Sequence, residues 1–121
     1  MTGLVFDPSR LEELLDLGAA EDRQFVIELV EVFLDSARTR LQELDAARAV
    51  GDCRRVEAAA HALKGSAGNL GACALQDVAQ ALMIASRRGD RAGIDALSAE
   101  LLGALVRAEA ALREFTQSLD R

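Results

Sequence analysis

The chain has 121 residues, room for one domain, and half of it is hydrophobic, ample for a single core. Aromatic residues make up only 3%, with no Trp or Tyr and one proline, so a β-sandwich is disfavoured and an all-α fold rich in Ala and Leu is expected. A net charge of −6 argues against nucleic acid as a partner, because a nucleic-acid binder needs a basic field.

The predicted elements follow in chain order from their caps. Asp7-Pro8 reads as N-cap and first helical position, and a short helix over about 8–17 carries Leu11, Leu14 and Leu15 before Leu17-Gly18 ends it. The second helix, about 22–50, places Val26, Leu29, Phe33, Ala37, Leu41 and Leu44 at steps of three and four. Gly51 stops it and Asp52 caps the third, about 53–70, with Val56, Ala60, Leu63, Ala67 and Leu70 on its stripe. Gly71 breaks that helix, and a fourth, about 72–88, uses Leu75, Val78, Leu82 and Ala85. Gly89-Asp90 repeats the stop-and-cap pair, and a fifth helix, about 91–119, runs from Ile94 through Leu101, Leu105 and Leu112 to Leu119. Four long amphipathic helices on very short connections pack as antiparallel neighbours, so the expected architecture is an antiparallel four-helix bundle with a short additional N-terminal helix, in one domain over 1–121.

The chemistry-bearing residue is His61, the sole histidine; Lys64, the sole lysine beside thirteen arginines, follows three residues later. At about 100° per residue, His61 lies nearly opposite Leu63, while Arg54, Lys64, Gly65 and Gly68 share its face. Two glycines inside a helix cost about 1 kcal/mol each relative to alanine, so a compensating role is expected: they strip side chains from beside the imidazole and let a bulky group or another protein approach. A neutral exposed imidazole has a free lone pair and is a nucleophile. If it carried a phosphoryl group, Lys64 is placed to neutralise the charge. Each feature also has a plainer explanation, as a surface histidine, a solvated lysine and glycines that end a helix, and spacing alone leaves both open.

Other motifs fail. Gly65-Ser66-Ala67-Gly68 is not a nucleophile elbow, the glycines do not form G-x-G-x-x-G, and no metal-ligand spacing exists. No apolar run approaches the ~20 residues of a membrane span, and Met1 to Pro8 lack a signal peptide's pattern, so the cytoplasm is expected. There Cys53 and Cys73 are expected to be free thiols.

The run Ala60-His61-Ala62-Leu63-Lys64-Gly65-Ser66-Ala67-Gly68-Asn69-Leu70-Gly71-Ala72 resembles the signature of histidine-containing phosphotransfer (HPt) domains of bacterial phosphorelays. The resemblance extends over nearly the whole chain, through Phe6-Asp7-Pro8, Phe33-Leu34, Gly51-Asp52 and Arg88-Gly89-Asp90. It implies a four-helix bundle that shuttles a phosphoryl group between receiver-domain aspartates, with His61 as phospho-acceptor and Lys64 as stabiliser. Gly65 and Gly68 become docking clearance. It implies no kinase or ATPase activity and no bound cofactor, with Mg²⁺ supplied by the receiver. The implied partners are receiver domains of response regulators and a hybrid or chemotaxis-type histidine kinase, and the expected state is a monomer. Many members carry Glu or Gln on the following helix, hydrogen-bonded to the imidazole; by register that position is Met83 here. Either Gln80, one turn away, substitutes, or the imidazole is simply freer, or Met83 is an apolar contact in a docking patch with Ala62. Arg54, Arg55, Lys64, Arg87, Arg88 and Arg91 cluster on or beside the third and fourth helices, a basic rim expected to steer an acidic receiver pocket, with Arg54, Arg87 and Arg88 taken as docking residues. Two other readings stand: a helical adaptor that binds a receiver without accepting phosphate, and an excised phosphotransfer domain of a chemotaxis-type kinase.

Overall fold

The computed structural model describes residues 4–15 and 20–119, and among them all regular structure is helical. The elements are α1 (Ser9–Leu15), α2 (Ala20–Ala49), α3 (Cys53–Leu70), α4 (Cys73–Arg87) and α5 (Arg91–Leu119). The third and fifth helices have the predicted bounds. The second starts two residues before the predicted Asp22, and the predicted end of the first at Leu17-Gly18 lies outside the described residues.

The boundaries follow from three glycines with positive φ, Gly51 (72°), Gly71 (79°) and Gly89 (63°). At each, two backbone bonds close a Schellman motif. Asp52 N–H reaches Ala47 O and Gly51 N–H reaches Arg48 O; the same pattern joins Ala72 and Gly71 to Ala67 and Gly68, and Asp90 and Gly89 to Ala85 and Ser86. Asp52 and Asp90 then cap the next helices, their carboxylates accepting from Arg55 N–H at 3.2 Å and Gly93 N–H at 3.0 Å. Connections this short force successive helices to run antiparallel.

The helices close a ring: α3 packs on α2 and α4, α5 on α4 and α2, and α1 lies across α2 and α3. Leu34, Leu44, Leu63, Leu75, Leu82, Leu101 and Leu112 are fully buried at its centre. Each such leucine is worth about 1.5–3 kcal/mol of transfer free energy, so the stripe and not helix propensity holds the bundle together.

Two contacts fix the N-terminal segment. Asp7 N–H donates to Gly71 O at 2.8 Å, and Phe6 meets Phe115 edge-on with ring centroids 5.7 Å apart. Asp7 itself caps α1: its carboxylate accepts from the Ser9 hydroxyl and backbone N–H, which hold that carboxyl below its ordinary range. Asp7 thus ties the start of α1 to the end of α3, the helix that carries the histidine.

Candidate functional site

α3 and α4 form the hairpin on which the site is built. Two contacts set its register. A Cβ on Gly68 would fall 2.7 Å from Gln76 Nε2, and Arg87 Nε donates to Glu57 Oε2. Counting inward from either contact puts Met83 at the level of His61 and Gln80 at the level of Lys64.

His61 is exposed, while Ala60 and Leu63 on the opposite face are at 0% and 1% exposure. Among the described residues its imidazole makes no hydrogen bond or ion pair. It lines a shallow surface depression with Lys64, Gly65, Gly68, Asn69, Gln76 and Arg10. Lys64 is half-buried and unpaired among the described residues, and its position in the same depression fits a cation waiting for an anion. A Cβ on Gly65 would meet nothing within 4 Å, so the glycine leaves open space beside the histidine. Gly68 is different: its missing side chain is filled by the Gln76 amide, so it serves the close packing of the hairpin.

Several expectations need correction. Met83 is 3% exposed and belongs to the core, so it is not a surface contact for a partner. The register count gives its level along the hairpin, but its side chain turns inward to the apolar cluster. Gln80 does not bond the imidazole either. Its Oε1 is buried and has no hydrogen-bond partner among the described residues. Arg87 is not a free docking cation, because Glu57, one turn before His61 on α3, holds it in an ion pair across the hairpin. Glu57 is thereby neutralised. Arg54 and Arg88 are exposed without ion-pair partners among the described residues, at the far end of the hairpin from Lys64. Ala62 is half-buried beside His61.

Arg10, Asn69 and the placement of Gln76 escaped the sequence reading. Nothing local signals Arg10, because it reaches the site only through the long-range tie of Asp7 to Gly71. Among the described residues no group of three or more His, Cys, Asp or Glu side chains is arranged to hold a metal, and no helix is long and apolar enough to cross a membrane. Cys53 and Cys73 are both free, each half-buried.

An exposed imidazole thus stands beside a cation and open space on the α3–α4 hairpin of an antiparallel helical bundle. The family model for the Hpt domain matches residues 28–119, and the chain belongs to that family, as a histidine-containing phosphotransfer intermediate of phosphorelays. Its fold is similar to the crystal structure of histidine-containing phosphotransfer protein B (HptB) from Pseudomonas aeruginosa PAO1, with a TM-score of 0.84 over 97% of this chain and 98% of that one at 24% identity. No curated protein matches the sequence.

Proposed function

We propose that His61 is the residue that carries the phosphoryl group, taking it from an aspartyl phosphate of one receiver domain and passing it to the aspartate of another. The observation that supports this reading most is the unpartnered, exposed imidazole in one depression with Lys64 and the open space at Gly65. In the forward step an imidazole nitrogen attacks phosphorus, the N–P bond forms, and the P–O bond to the aspartate breaks with the carboxylate as leaving group. The outward-facing Nε2 is the sterically favoured nitrogen. Lys64 offsets the charge of the three phosphoryl oxygens. Mg²⁺ comes from the receiver's acidic pocket, where it offsets the charge on the transferring phosphoryl group. The partners are receiver domains and a histidine kinase of a phosphorelay, and the chain acts as a cytoplasmic monomer.

The docking face is the exposed surface of α3 and α4 around His61, with Arg54 and Arg88 at its lower rim, Ala62, Gly65, Gly68 and Gln80 along the hairpin, and Met83 supporting it from beneath. Incubation with a panel of phosphorylated receivers tests the reading. Label that moves onto wild type, and back to an unphosphorylated receiver, supports the relay role. Receivers that bind without any transfer would favour an adaptor instead.

A further inference from the structure

The depression around His61 has a cation on each of two elements. Lys64 comes from α3 itself; Arg10 comes from α1, which the Asp7 N–H to Gly71 O bond docks over the end of α3. That dock is tight. Gly71 has φ +79°, and a Cβ there would fall 2.1 Å from Asp7 O, so the two backbones touch only because position 71 is glycine. Arg10 is exposed and unpaired among the described residues. Among the described residues no carboxylate lines the depression, and Glu57, on the His61 face of α3, is tied to Arg87. The remaining lining groups, Gly65, Gly68, Asn69 and Gln76, are uncharged. Two free cations therefore flank an uncharged hollow beside a nucleophile.

We propose that Arg10 is a second binding group for the phosphoryl moiety, holding its oxygens together with Lys64 once His61 is modified. This rests on His61 being the carrier. A guanidinium offers forked donors that match phosphoryl oxygens, where the ammonium of Lys64 acts as a point charge, so the two divide the work of orientation and neutralisation. The short first helix is then part of the site and not merely a cap on the bundle.

The full chain can be loaded without any partner, using phosphoramidate as donor. The imidazole Nε2–P bond forms as the P–N bond to ammonia breaks, ammonia leaves, and the imidazole proton passes to water. The readout is the ³¹P NMR titration of the phosphoryl group on His61. Adjacent cations favour its dianion, so Arg10→Ala raises the titration midpoint by about half a unit, a single charge a few ångströms away in a watery setting. Arg10→Lys restores most of the shift, Lys64→Ala gives a rise of its own, and the double variant exceeds either. Circular dichroism confirms that the variants keep their helices. A midpoint in Arg10→Ala equal to wild type, with His61 loaded in both, overturns the role of Arg10 and leaves the carrier assignment intact. Failure of wild-type His61 to take label overturns both.

Discussion

The cost of glycine at position 65 falls on α3, while its benefit falls on the face that His61 presents. A methyl group there would meet nothing, so no packing is lost by adding one. Gly65→Ala is therefore expected to stabilise the chain by about 1 kcal/mol, raising Tm by about 4 °C. Gly65→Gln keeps much of that gain but fills the approach to the imidazole, and is expected to slow transfer from a receiver. Thermal melts beside transfer rates check this; a Gln variant as fast as wild type would show that clearance at this position is unnecessary. Gly68 behaves oppositely, because its space is already occupied by the Gln76 amide and alanine there must displace it. Spacing made the two glycines look alike. Only the packing of α4 separates them, and the same inward packing turned Met83 from a surface contact into core.

At the scale of elements, junctions carry the specification. Gly71→Ala combines a left-handed φ with a clash against the Asp7 carbonyl, so it is expected to cost about 2 kcal/mol or more and lower Tm by roughly 8 °C. A loss no larger than the roughly 1 kcal/mol that a left-handed φ alone costs alanine would show that α1 does not dock on Gly71. Across the bundle, Glu109 of α5 accepts from Arg38 of α2 at 2.7 Å and from Arg113 at 3.0 Å, and Arg113 also reaches Glu31 at 2.8 Å. The hydrogen bond from Arg113, then that from Arg38, holds the Glu109 carboxyl below its ordinary range against the opposing effect of partial burial. A depressed folded pKa stabilises above the unfolded value, about 4.3, and the gain is lost as pH falls through the folded one. Glu109→Gln is therefore expected to shrink the drop in Tm between neutral and acidic pH, read from melts across that range. The α2–α5 ion pairs are only partly buried and remain open to solvent, so this effect is small. The α2–α3 and α4–α5 junctions were legible in the sequence because a glycine-aspartate pair encodes both a left-handed stop and an N-cap locally, and Gly71 alone marked the α3–α4 stop. Arg10 and the Glu57–Arg87 pair were not, since each depends on which helices lie side by side and in what register.

For the molecule as a whole, an acidic protein presents unpaired cations around one histidine, and that asymmetry decides how partners arrive. Arg88 is exposed and unpaired among the described residues, whereas Arg87 is neutralised by Glu57. Arg88→Glu is expected to slow transfer from a receiver several-fold at low salt, and the deficit should vanish toward about 1 M salt, where the Debye length is about 3 Å. A deficit independent of salt would indicate a direct contact instead of steering. Whether His61 carries the phosphoryl group is read most directly from the location of that group after transfer from a phosphorylated receiver to the full chain. One acid-labile, base-stable label is expected, mapped to His61 and absent from His61→Gln. A label of equal amount on His61→Gln, or one carried at another residue of the wild type, would contradict His61 as the carrier.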